Sequence, residues 1–185
     1  MTRVVGLDLS LTGTGVATIY GTGHVVTETI GSTGHRDDSL VDRSARLGRL
    51  TQAILLHMKP DTTLAVIEGP SVMSKGGSNW DRAGLWWLVV RHIHSRGIPL
   101  GVAAPTLVKK WATGRGGADK AAVAVAASRM WPEVDAQTDN EWDALCMATI
   151  AAQRLGWDVP TLARHAEPLA NVAWPVLPDI EGVAA

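Results

Sequence analysis

The stretch "VVGLDLSLTGTGVA", residues 4–17, sets one acid inside an apolar run. Val4, Val5, Leu7 and Leu9 surround Asp8, and a loop of small and hydroxyl residues follows. A short apolar run bounded by a glycine-bearing turn reads as a buried strand over residues 3–9. An unpaired charge in such a strand is expensive to bury. Asp8 therefore needs a partner: a hydrogen-bond donor, a cation or a phosphate.

Gly13 and Gly15, then Gly21 and Gly23, bracket "VATIY" and "HVVTETI". Both arms carry β-branched residues, which is a hairpin signal. The first three strands thus form an antiparallel meander. The period then changes: Leu40, Ala45, Leu47, Leu50, Ile54 and Leu55 recur at helical spacing and stop before Pro60. "TTLAVIEG" is a second buried strand, ending in Glu68, and "PSVMSKGGSN" is a loop. "WDRAGLWWLVVRHIHSRG" reads as a helix closed by Gly97, and "IPLGVAA" as a short strand. "PTLVKKWATG" is a helix from Pro105 to the Gly114 stop, and two more helices follow, "DKAAVAVAASRMW" and "DNEWDALCMATIAAQRLG". Residues 157–185 contain four prolines and weak periodicity, so a tail is expected after a domain spanning 1–156.

A meander followed by helix-linked parallel strands gives an α/β protein: a five-stranded mixed sheet flanked by helices. This is the order of the ribonuclease H-like fold. A chain of 185 residues, 46% apolar, is long enough for one domain with its own core. The net charge of −1 means that any nucleic-acid surface must be local. One cysteine, Cys146, excludes an intramolecular disulfide and a Cys-rich zinc site. No run approaches the roughly 20 apolar residues of a membrane helix, and the start lacks a signal-peptide pattern. A cytoplasmic location is expected, in a bacterium or an infected host cell, with no membrane partner.

Asp8 and Glu68 both sit near the C-terminal ends of apolar strands. Parallel strands bring such acids together at one edge of a sheet, where ligands bind. The third acid comes from a helix. Thr138 and Glu141 form a capping-box pattern, and Asp139 falls in the first turn, where the dipole favours an anion. Asn140, Asp143, Met147 and Ala151 then share a face flanked by Ala144 and Ala148. Small residues there let the helix lie close on a sheet, so Asp143 points inward. A lone acid at a strand end is more often a turn or cap residue; two of them plus an inward-facing third are harder to dismiss, and the pattern leaves a metal site and separate structural roles both open. Clustered oxygens fit Mg²⁺, and two-metal phosphodiester hydrolysis is the best use of such a site.

"VKKWATGRGGADKAAV" carries Lys109, Lys110, Arg115 and Lys120 against one acid. Gly114, Gly116 and Gly117 leave backbone amides open ahead of a helix, an arrangement that suits phosphate. Lys120 stands in the first turn of that helix, against the local dipole preference. The plainer reading is a glycine cap followed by a solvated lysine.

These pieces together resemble the RuvC-like Holliday junction resolvases, including phage-encoded members. The matching segments are "GLDLSLTGTGVA", "VIEGP", "VKKWATGRGGADK" and "DNEWDALCMA", in order, over residues 3–155. The resemblance implies a ribonuclease H-like fold, a homodimer, and nicking of branched DNA with Mg²⁺ or Mn²⁺. It implies that Asp8, Glu68 and Asp143 bind metal, and that Lys109 and Lys120 contact DNA near the scissile phosphate. It also marks two departures. The position three residues before Asp143, acidic in many members, is Asn140, which is a ligand only through its carbonyl oxygen. Asp139 is the alternative. The position of the aromatic wedge is Ser71; Met73 or Trp80 in the same loop would serve instead. Asn140 motivates the second reading, a non-catalytic, structure-specific DNA-binding module with the same fold. "DLSLTGTG" is also similar to the phosphate hairpin of actin-like proteins, which duplicate the fold and need a longer chain.

Trp80 beside Gly76 and Gly77 would stack on a base, or pack inward as a helix-start staple. Lys75 and Arg82 flank that loop within reach of backbone phosphates. Trp86 and Trp87 read as core or dimer interface. Ser10, Thr12 and Thr14 read as turn residues.

Overall fold

The computed structural model describes residues 1–70 and 78–177. Five strands, β1 (Arg3–Asp8), β2 (Gly13–Tyr20), β3 (Val25–Gly31), β4 (Thr62–Glu68) and β5 (Leu100–Ala103), form one sheet in the order β3-β2-β1-β4-β5. β1–β3 are antiparallel neighbours, whereas β4 and β5 join in parallel. This is the expected mixed sheet. The connecting helices are α1 (Leu40–Leu55), α2 (Asn79–Ser95), α3 (Pro105–Thr113), α4 (Lys120–Met130) and α5 (Asp139–Arg154).

Strand alternation divides the core in two. Val4, Leu64 and Val66 face α3, α4 and α5, packing with Trp111, Leu145 and Ile150. Val5, Leu7, Ala65 and Ile67 face α1 and α2, packing with Ile54, Leu85 and Val89. Side chains two apart share a face. Asp8 therefore follows Val4 and Gly6 toward α5, and Glu68 follows Leu64 and Val66 the same way.

Two glycines set the height of α5 above the sheet. A β-carbon on Gly6 would overlap the Ala144 carbonyl oxygen, and one on Gly15 would overlap that of Asn140. Backbone thus rests on backbone along β1 and β2. The expected cap is present: Thr138 Oγ1 accepts the Glu141 N–H at 3.2 Å. The Glu141 carboxylate, however, turns to the Gln137 N–H and to the hydroxyls of Thr27 and Thr29 on β3. The buried glutamate pins the start of α5 across the sheet edge.

Two details differ from expectation. Leu40, counted with the apolar stripe, is the first residue of α1 and stays exposed. Within the expected tail, residues 163–165 form a 3₁₀ turn and α6 spans Ala166–Ala170. His165 stacks on Trp111 with ring centroids 4.2 Å apart, and Ala173 bridges Val102 on β5. Elements this short leave no periodic pattern to read.

Candidate functional site

Asp8 and Glu68 end neighbouring parallel strands, one residue beyond the Leu7–Ile67 pair. Asp143 reaches the same place from the second turn of α5. Lys120, the first residue of α4, comes from the opposite side. Asp119 caps α4 by accepting the Ala122 N–H at 2.8 Å, so the lysine is placed by the cap and its ammonium turns to the acids. Lys120 Nζ lies 3.5 Å from Asp143 Oδ2, 3.8 Å from Asp8 Oδ2 and 2.9 Å from Asn140 Oδ1. Lys120 stays 53% exposed, as the plainer reading has it, but its ammonium turns to the acids instead of to solvent alone; the glycine cap is present, with Gly114 left-handed at φ 81°.

The electrostatics are those of a site short of positive charge. Burial pushes the Asp8 carboxyl up to about 6; Lys120 opposes this and Asp143 adds to it. Burial, then the charges of Asp8 and Asp143, push Glu68 up to about 8, against Lys120 and Lys109. Asp143 is raised too, by burial outweighing Lys120. For Lys120, burial works against the charge, but Asp8 and Asp143 outweigh it and the ammonium is held above its ordinary value.

A cleft of about 470 Å³ opens beside these groups, lined by Asp8, Glu68, Lys120, Asn140, Arg82 and Trp86 among others. Its β1–β2 rim is a self-satisfied turn. Thr14 Oγ1 donates to the Ser10 carbonyl at 2.8 Å and accepts the Ser10 N–H at 3.1 Å. Arg46 braces the same rim from α1, donating to the Leu11 carbonyl at 2.8 Å.

The donor set suits a hard cation: carboxylate and amide oxygens, with an ammonium already acting as the cation between Asp8 and Asp143. Among the described residues, no group of three or more Asp, Glu, His or Cys side chains is placed to hold a metal ion, so the expected three-acid metal site is not assembled in this structure, where Lys120 takes the place between Asp8 and Asp143.

The other expected residues are spread more widely. Lys109 is near enough to lower both Glu68 and Asp143. Lys110 turns away and pairs with Glu167 at 2.8 Å. Arg115 is exposed on the glycine turn, and Arg82 lines the cleft. Trp80 is 84% exposed, so it is no inward staple. Lys75, Ser71 and Met73 lie outside the described residues. Sequence reasoning missed one contact: the Trp86 indole N–H donates to the Glu68 carbonyl at 3.0 Å. Nothing in the spacing marks that pair; the fold alone brings the side chain to the strand end. No helix among the described residues is long and apolar enough to cross a membrane.

No family model matches the sequence. The chain is 28% identical over 158 residues to the crossover junction endodeoxyribonuclease RuvC of Azorhizobium caulinodans, covering 84% of this chain and 92% of that protein. Its structure is similar to that of Thermus thermophilus RuvC, with a TM-score of 0.63 at 20% identity over 86% of this chain and 100% of the other. It is equally similar to T. thermophilus RuvC solved in complex with Holliday junction substrate, with a TM-score of 0.64 at 18% identity over 87% and 100%. Sequence and structural likeness both support the RuvC family, and the fold of this chain is the ribonuclease H-like fold of RuvC.

Proposed function

We propose that this chain is a divalent-metal-dependent endonuclease that hydrolyses phosphodiester bonds in branched DNA, in the manner of a Holliday junction resolvase. The observation that carries this reading is that Asp8 and Asp143, from a strand end and a helix, both reach the Lys120 ammonium, with Glu68 on the next strand close enough to feel all three charges. The likeness to RuvC supplies the substrate class. The chain works as a homodimer, since two sites related by a two-fold axis suit paired cuts on a two-fold junction. It acts in the cytosol of a bacterium or of a phage-infected cell.

Asp8, Glu68 and Asp143 would hold the ions, Mg²⁺ with Mn²⁺ as substitute. Bound there, such ions would supply charge stabilisation to the reacting phosphate. The protein does the rest. Asp8 and Glu68 are fixed by the sheet, so their oxygens need no reorganisation. Trp86 holds the Glu68 backbone. Lys120, already beside the carboxylates, meets the negative charge of the scissile phosphate. Lys109, Arg115, Arg82 and Lys75 anchor the backbone of the arms, and Lys110 contributes less because Glu167 already pairs with it. Trp80 offers an exposed face on which a base stacks. Hydrolysis adds water across the P–O3′ bond, leaving a 5′-phosphate and a 3′-hydroxyl.

A synthetic four-way junction incubated with Mg²⁺ tests this. The wild-type protein cuts it and Asp8→Asn does not, although both bind. Tight binding without cutting under either Mg²⁺ or Mn²⁺ would refute the nuclease reading and leave a DNA-binding module.

A further inference from the structure

We infer that Asn140 is the anchor that keeps Lys120 beside the carboxylates, and that it is not a metal ligand. This deepens the nuclease reading and rests on it for its purpose, though not for its geometry.

Both ends of the Asn140 amide are committed. Nδ2 donates to the Gly13 carbonyl at 2.6 Å, and Oδ1 accepts from Lys120 Nζ at 2.9 Å. The orientation is dictated by the partners. A carbonyl only accepts, so the NH₂ must face Gly13; an ammonium only donates, so the oxygen must face Lys120. The side chain has little room to turn, because the Asn140 backbone is pressed onto β2 at Gly15 and its Nδ2 lies against Gly13. A carboxylate at this position would set an oxygen against the Gly13 carbonyl and add a fourth negative charge. The location thus selects asparagine over aspartate.

The contact to Asn140 is the shortest polar contact of the ammonium, 2.9 Å against 3.5 Å and 3.8 Å to the acids. The acids attract Lys120 through charge, and Asp143 through a side-chain hydrogen bond as well; a divalent cation between them would take over both. The amide holds it through a hydrogen bond to an uncharged acceptor, which depends less on the charge of the acids than their own attraction does. Asn140 therefore retains the ammonium at the edge of the site when the carboxylates turn to metal. It is a positioning residue, acting through Lys120.

The experiment combines ¹⁵N NMR of lysine ammonium groups, Mn²⁺ binding to DNA-free protein and junction cleavage. The Lys120 resonance, assigned by its loss in Lys120→Arg, should persist when Mg²⁺ is added to wild type. In Asn140→Ala it should broaden or vanish, and in Asn140→Asp it should remain. Mn²⁺ affinity of Asn140→Ala should stay within about threefold of wild type, whereas loss of a true ligand costs about tenfold or more. At saturating Mn²⁺ and DNA, Asn140→Ala should slow cutting of bound junction, and add nothing in a Lys120→Ala background. An unaltered ammonium signal in Asn140→Ala overturns the inference. So does a Mn²⁺ affinity that falls about tenfold in both the wild-type and Lys120→Ala backgrounds. If wild type cuts no DNA, the nuclease reading fails, and the ammonium spectrum still decides for or against the anchor.

Discussion

Glu68 is the residue on which the chemistry of the site turns most sharply. Its carboxyl is pushed up to about 8 from an ordinary 4.5, and Asp8 to about 6 from 3.8. Both acids bind protons more tightly folded than unfolded. Their protonated forms therefore stabilise the fold fully below the unfolded values, and that stabilisation is lost as pH rises through the folded values. Metal-free protein should lose thermal stability between about pH 4 and pH 8. Glu68→Gln should melt higher than wild type at pH 8 and nearly level with it at pH 4. Each kcal/mol recovered corresponds to ~2–4 °C in a chain of this size. Mg²⁺ should raise the wild-type melting point at pH 8 and leave that of Glu68→Gln nearly unmoved. Calorimetric scans across this range decide it; equal profiles for wild type and Glu68→Gln would contradict a strained carboxylate. The sequence carries Asp8 and Glu68 openly, because an acid at the end of an apolar run breaks a pattern, and Asp143 through the helix face it shares with small residues. It hides Trp86 and the Glu141 contacts. Those join residues 18 to 114 positions apart, and each looks like an ordinary core or cap residue in its own segment.

At the scale of elements, α5 lying flush on β1 and β2 is what brings Asp143 to Asp8. Ala144 and Ala148 are legible as the small face of that helix. Gly6 looks merely neutral within its strand, and its role is visible only once the strand lies under the Ala144 carbonyl. Gly6→Ala should destabilise the protein by about 1–3 kcal/mol or more, since backbone on both sides must move. A matched control is Gly48→Ala in α1, where a β-carbon meets nothing within 4 Å. That change should stabilise by about 0.4–1 kcal/mol through the unfolded chain and the helix. Urea midpoints for the two variants should move in opposite directions. If Gly6→Ala stays as stable as wild type, α5 is not seated as described. In a variant that still folds, the metal site should suffer too, because Asp143 rides on the displaced helix.

For the whole molecule, the proposed function requires a chain of net charge −1 to hold a polyanion with a local patch. Neutralising a phosphate contributes about 0.9 to the slope of log affinity against log salt. The basic residues of the glycine-lysine segment are not equivalent in this respect, because the C-terminal residues fold back on it. Arg164 donates to the Ala112 carbonyl at 2.7 Å at the end of α3, and Glu167 pairs with Lys110. No composition or periodicity announces this; a 3₁₀ turn that docks by Arg164 and the stacked His165, followed by a five-residue helix carrying Glu167, leaves almost no trace in sequence. Lys109→Ala should therefore lower the salt slope of junction binding by about 1, and Lys110→Ala by clearly less, since its charge is already partly answered. Glu167→Gln should free Lys110 and tighten binding at low salt while leaving the slope of Lys110→Ala unchanged when the two are combined. Fluorescence anisotropy with a labelled junction over a salt series measures the four variants beside the wild type. Equal slopes for Lys109→Ala and Lys110→Ala would mean that the Lys110–Glu167 pair opens on DNA and that the C-terminal residues give no bias to the interface.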